Sequence, residues 1–294
     1  MNQNRNTRVK YLLWIFFPTI AAFVVQNVIS LIEMQVIAFY EMFNYKGGGI
    51  IGLDENIIDK LLSETSMLII YLAYSIICIV LFAYFYIKKF RDSKKRFFEN
   101  VSSNWLYTIV GVVLFALSAQ YVCTYIMNAL AQAFPSWLEE YEMIMDSSGF
   151  SNEMSIGLII YTVVLGPICE ELAFRGITFK AARQVMSVPM AIFSQALLFG
   201  GFHMNMLQSS YAFLLGLALG YIMYCYDNIF IVIAIHMIFN AFSLVAGEFL
   251  MSDYYTIISY FCWLLGSLIV AYCGLLLLKN GAPAVKEEST SADI

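Results

Sequence analysis

The chain has 294 residues, 61% of them hydrophobic and 13% charged, with a formal net charge of -5. A soluble domain carries about 45–50% apolar and about 25% charged residues, so a water-soluble globular fold is excluded. No basic patch suits the chain to nucleic acid, and in a membrane protein the placement of charge says more than its sum.

The apolar residues fall into runs of about 20, the length a helix needs to cross roughly 30 Å of hydrocarbon with its backbone bonded internally. Taken in chain order, windows of about 19 residues predict eight spans. They lie near Tyr11–Ile32, Ser66–Ile87, Trp105–Leu130, Ser155–Phe179, Val188–Met206, Tyr211–Tyr226, Ile229–Leu250 and Ile257–Leu278. The first follows a basic start, as in a secretory signal. It is long, however, and lacks a small-x-small cleavage site, so it reads as a retained helix. The sixth is short and is joined to the seventh by the tight pair Asp227 and Asn228. Two connections, Asp54–Thr65 and Ser136–Phe150, mix apolar and acidic residues at helical spacing. They fit either helices lying along the outer membrane surface or solvated loops. The tail after Lys279 has the composition of a disordered segment.

Basic residues orient the spans. Arg5, Arg8 and Lys10 precede the first, and Lys88, Lys89, Arg91, Lys94, Lys95 and Arg96 follow the second. Arg175, Lys180 and Arg183 end or follow the fourth, and Lys279 follows the last. The segment between the third and fourth spans carries Glu139, Glu140, Glu142, Asp146 and Glu153 and no Lys or Arg. Both termini are therefore expected in the cytoplasm and the acidic segment outside, which an even number of spans allows. The fold class is all-α and polytopic. The chain divides into residues 1–154 with the first three spans, residues 155–250 with the next four, and residues 251–294 with the last span and tail. Cys78, Cys123, Cys169, Cys225, Cys262 and Cys273 all lie in apolar segments and read as small buried hydrophobes, with no disulfide or zinc spacing among them.

Ionisable side chains inside such segments are costly and mark functional positions. The fourth span holds Glu170, Glu171 and Arg175. Adjacent residues of a helix point about 100° apart and residues four apart share a face. Glu171 can therefore pair with Arg175, which leaves Glu170 without its obvious partner. An unpaired carboxylate in apolar surroundings is suited to exchanging protons with a reacting group. The same three charges would also suit a helix end at the cytoplasmic surface. Pro167 removes one backbone hydrogen bond and kinks the helix before the glutamates.

The fifth span supplies Phe199 one turn before His203, with Gly200 and Gly201 allowing close helix approach. The seventh supplies His236 and Asn240 on one face, a pair able to donate two hydrogen bonds to one oxygen, as an oxyanion requires. Either histidine taken singly fits a structural hydrogen bond equally well. From the cytoplasmic edges, a rise of about 1.5 Å per residue puts Glu170 about 14–18 Å deep, His203 about 20 Å and His236 about 12 Å. The three clusters can meet.

Glu-Glu-x-x-x-Arg, Phe-x-x-x-His and His-x-x-x-Asn, in that order on successive membrane helices, resemble the CPBP family of CAAX proteases and bacteriocin-processing enzymes, also called Abi. The resemblance covers roughly residues 155–247 and makes residues 155–250 the catalytic core. It implies an eight-helix fold around a polar chamber within the membrane, and hydrolysis of a peptide bond in or at the bilayer. By resemblance, Glu170 is the general base that activates water, assisted by His203. His236 and Asn240 hold the oxyanion, while Glu171 and Arg175 orient and balance charge.

Two histidines and a glutamate also form a conceivable zinc set, and family members have been described as metalloproteases. The absence of His-Glu-x-x-His and the glutamate-type resemblance favour chemistry without a cofactor. The expected partners are the lipid bilayer and a membrane protein or peptide substrate, with no nucleic acid. A composition rich in Ile, Lys, Asn and Tyr suggests a low-GC bacterium and its plasma membrane. Processing of pheromones, leaders or bacteriocins, or self-immunity, then fits better than cleavage of a prenylated protein. The alternatives are a catalytically silent scaffold or bacteriocin-immunity protein of the same fold, and a proton-coupled transporter, against which the lack of an internal repeat counts.

Overall fold

Residues 2–44, 50–92, 101–150, 154–250 and 256–283 are described by the computed structural model. In chain order the helices are α1 (Asn2–Asn44), α2 (Ile50–Leu61), α3 (Glu64–Phe85), α4 (Trp105–Ala133), α5 (Pro135–Ser147), α6 (Ile156–Ala182), α7 (Val188–Phe202), α8 (Met206–Tyr226), α9 (Ile229–Leu250) and α10 (Ile257–Gly281). Among the described residues there is no strand. Six helices (α1, α3, α4, α6, α8 and α10) are long and apolar enough to cross a membrane, and α7 and residues 229–245 of α9 are shorter apolar segments. The protein is an all-α polytopic membrane protein.

These eight helices correspond to the eight expected spans, with informative differences at their ends. α1 runs for 43 residues, about 65 Å at 1.5 Å per residue and well over the hydrocarbon thickness. Its apolar signal fades where Glu33 and Glu41 appear, yet the helix continues because α2 and α3 grip both acids. Glu41 is 3% exposed and accepts hydrogen bonds from Asn56 and Lys60, and Glu33 accepts one from Ser66 at 2.8 Å. The two mixed connections are thus largely helical: α2 covers most of the first and α5 most of the second.

The short helix of the fourth-to-seventh group is the fifth, not the sixth. α7 has 15 residues and α8 has 21. The break falls at residues 203–205, a little before the expected one, because Met204 adopts a left-handed conformation, φ 56°, and Asn205 caps α8 by accepting from the Gln208 amide at 3.1 Å. His203 therefore sits at the end of α7 rather than within a span.

α6 is the central helix, packed by α1, α3, α7 and α9. Every residue from Leu172 to Phe179 is buried, Arg175 and Thr178 included. α7 and α8 pack closely through Gly200, where an added Cβ would lie 2.8 Å from the Ser209 carbonyl oxygen. Gly201, expected to serve the same contact, faces open space. α4 and α10 meet at Gly274, whose Cβ would lie 2.8 Å from the Phe115 amide. Tyr226 of α8 locks one end of this group, donating to the Leu278 carbonyl at 2.8 Å and sharing a hydrogen bond with Thr108 at 2.9 Å.

Much of α10 presents Ile257, Ile258, Phe261 and Leu265 outward, which suits lipid and not water. All six cysteines are free thiols. Cys78, Cys123 and Cys169 are buried as expected, Cys225 is half-buried, and Cys262 and Cys273 lie exposed on α10, because one apolar face of that helix is not covered by protein. The tail from residue 284 onward, where disorder was expected, lies outside the described residues.

Candidate active site

α6 is not a uniform helix. It starts at Ser155, whose side chain accepts from the Leu158 amide, and it changes register twice. Tyr161–Leu165 and Leu172–Phe179 are π-helical turns, and Gly166–Glu171 between them is α-helical. In the first π turn the Gly166 amide donates to the Tyr161 carbonyl, five residues back. A Cβ at residue 166 would come within 3.2 Å of that oxygen, so glycine suits the wider turn. Pro167 follows, where an amide would otherwise be required. The kink expected at this proline takes the form of a widened turn. Turns of this kind recur at functional sites.

The two glutamates emerge from this short α-helical segment on different sides. Glu171 is fully buried, and its Oε1 accepts from Arg175 Nη1 at 2.8 Å, the pair expected from their spacing. The same oxygen lies 2.8 Å from His236 Nδ1 of α9. With Glu171 ionised against Arg175, Oε1 accepts from both, so the His236 proton sits on Nδ1. His236 Nε2 is then the lone-pair nitrogen, and it faces Glu170 Oε2 at 3.7 Å. The Glu170 side chain is 23% exposed and lines a cavity of about 60 Å³ together with Gln26, Tyr71, Tyr74, Tyr161 and Phe202. That volume accommodates a few waters.

Phe199 holds these parts together from α7. Its ring is 1% exposed and lies 4.3 Å from the Arg175 guanidinium carbon. Ring centroids of His203 and His236 are 5.1 Å and 5.9 Å away, both edge-on. A guanidinium desolvated over an aromatic face is stabilised by roughly 2 kcal/mol, which supplements the single Glu171 contact. His203 donates from Nδ1 to the Phe199 carbonyl at 2.9 Å, a carbonyl being acceptor only, so Nε2 is its lone-pair atom. No hydrogen bond or ion pair joins His203 to Glu170 among the described residues. The imidazole nearest to Glu170 in hydrogen-bonding terms is His236. Asn240, one turn after His236, donates from Nδ2 to the Thr162 carbonyl at 2.9 Å.

All six residues singled out in the sequence thus gather around α6; Glu171 and Arg175 pair as expected, while the histidines and Asn240 take other partners than the resemblance implies. Residues 152–242 match the family model described as Type II CAAX prenyl endopeptidase Rce1-like. This stretch is a domain of the CPBP family. No curated protein and no solved structure matches the chain.

The CPBP domain supplies all of the charged groups of the site, but its cavity wall is completed from outside the matched stretch. Gln26 comes from α1, and Tyr71 and Tyr74 come from α3. Sequence reading passed over them. Their only signal was polar or hydroxyl-bearing character within otherwise aliphatic spans. Among the described residues no three His, Cys, Asp or Glu side chains are grouped so as to hold a metal ion. His236 Nδ1 and His203 Nδ1 both face oxygen acceptors, which leaves Nε2 as the lone-pair atom of each ring.

Proposed function

We propose that the chain is an intramembrane endopeptidase in which Glu170 activates water against a peptide bond of a membrane-associated or lipidated protein or peptide. One observation carries this reading: Glu170 Oε2, on the wall of the 60 Å³ cavity, faces His236 Nε2 across 3.7 Å. The gap is too long for a good direct hydrogen bond but is spanned by one water. A water about 2.8 Å from both atoms subtends roughly 80° between them, close enough to its own bond angle to donate to each. Its lone pair then points away from both acceptors, toward a substrate carbonyl.

The chemistry follows from that pose. Glu170 takes a proton as the water oxygen bonds to the carbonyl carbon. The C–N bond breaks, and the proton passes to the departing amine. Glu171 and Arg175 hold His236 in the tautomer that presents Nε2. A buried carboxylate setting an imidazole in this way follows the logic of a catalytic triad, without a serine or cysteine nucleophile.

Glu170 lies ten residues before Lys180, whose ammonium pairs with Asp227 at the end of α8. The reacting groups therefore sit about 12–15 Å from that charged level, within the bilayer. The basic residues at the span ends support cytoplasmic termini, and a composition rich in Ile, Lys, Asn and Tyr supports a bacterial plasma membrane. Substrates of that setting are peptide pheromones, leaders or bacteriocins.

Comparative membrane peptidomics of cells carrying the native chain or Glu170→Gln tests the proposal. Peptides made only with the native chain are expected, at equal protein levels. Identical peptidomes and an unchanged cellular phenotype would favour a silent scaffold of the same fold.

A further inference from the structure

Asn240 differs from the other polar side chains of the site in that its hydrogen bond goes to the backbone of α6. In the first π turn the Gly166 amide reaches back five residues to Tyr161. The next bond in that register would run from residue 167 to the Thr162 carbonyl, and Pro167 has no N–H to give. A bare carbonyl is costly inside a membrane, where no bulk water can serve it. Asn240 Nδ2 lies 2.9 Å from that same oxygen. A carbonyl only accepts, so the amide nitrogen and not Oδ1 must face it.

The geometry points to Asn240 as a positioning residue: its carboxamide substitutes for the amide that Pro167 lacks and so fixes the turn of α6 that carries Glu170. Glu170 is three residues beyond Pro167, less than one helical turn, so displacement at the turn is passed to its carboxylate. One turn earlier on α9, His236 grips Glu171 at 2.8 Å. α9 thus holds α6 both before and at the two glutamates. This assigns Asn240 a task different from the oxyanion contact that the family resemblance implies. It rests on the proteolytic reading only for its consequence on activity.

The test compares full-length wild type, Asn240→Ala, Pro167→Ala and the double variant. Pro167→Ala restores a backbone N–H that can donate to Thr162; if the turn instead relaxes to α register, the Gly166 amide does so. In detergent, Asn240→Ala is expected to lower the unfolding midpoint by about 2–4 °C when Pro167 is present, and to have little effect in the Pro167→Ala background. An equal drop in both backgrounds overturns the clamp. Cleavage of a substrate peptide is expected to fall about 100-fold in Asn240→Ala, with most of that loss regained in the double variant. A double variant as inactive as Asn240→Ala shows that the carboxamide acts on the reacting atoms, and it overturns the positioning role. If the wild type cleaves nothing, the proteolytic reading fails, while the stability comparison still decides the clamp.

Discussion

Replacing Glu171 with Gln keeps the shape of the side chain and removes the charge on which the site is built. Glu171 and Arg175 are both fully buried, and the oxygen that binds Arg175 also binds His236. Neutralising Glu171 leaves a guanidinium in the protein interior with Phe199 as its main remaining support. Removing one partner of a buried ion pair costs about 3–5 kcal/mol. For a chain of this size each kcal/mol moves the midpoint by about 2–4 °C, so Glu171→Gln should melt on the order of 10 °C below wild type. Glu170→Gln is the matched control. It alters a carboxylate with no partner that close, and its effect on stability should stay within about 0.5 kcal/mol, while cleavage is lost. Thermal unfolding in detergent can be followed with a thiol-reactive dye, since Cys78, Cys123 and Cys169 are buried until the bundle opens. Adding Arg175→Met to Glu171→Gln should recover much of the midpoint, because two apolar or neutral groups replace one stranded charge. A Glu171→Gln midpoint equal to wild type, or an equal loss in Glu170→Gln, would refute the division of labour between the two glutamates.

Phe199→Ala removes the ring shared by Arg175, His203 and His236, and should cost about 3–5 kcal/mol; Phe199→Leu should cost clearly less in the same melt. Gly274→Val places a side chain where a Cβ already lies 2.8 Å from the Phe115 amide. Separation of α4 from α10 should then lower stability by about 1–3 kcal/mol, with cleavage by the surviving folded protein unchanged. A zinc chelator should leave cleavage unaffected; inhibition that added zinc reverses would transfer the water-activating role to a metal. In a cysteine-free background, Ser147→Cys at the end of α5 should react with a membrane-impermeant maleimide on intact cells, which tests the outward placement of the acidic segment.

The spans were legible because lipid demands long apolar runs, and that signal is strong wherever the hydrocarbon is the solvent. It weakened where protein replaced lipid. The last third of α1 was invisible because Glu33 and Glu41 look like the end of a span, yet both find hydrogen-bond partners on α2 and α3. The break between α7 and α8 was legible but misplaced by a few residues, since the backbone of Met204 and the cap at Asn205 set its position. The charged motif was readable as chemistry because Glu171 and Arg175 are four residues apart on one helix. The partners of the histidines were not, since they depend on the relative rotation of α6, α7 and α9. A one-residue π insertion rotates everything after it by about 100°, which periodicity alone does not register.

That rotation explains why two adjacent acids can differ so much. A membrane-buried site must hold a reactive carboxylate without leaving the surrounding charges unbalanced. Here Glu171 and Arg175 form a neutral pair with no exposure, and their shared surroundings orient His236 at no net charge. The π turns on either side of Gly166–Glu171 then aim Glu170 away from that pair and into the cavity. Had α6 been a regular helix, the glutamates would have faced different neighbours. The irregular backbone is therefore a condition of the chemistry: it turns one acid toward water while the next remains locked in the protein.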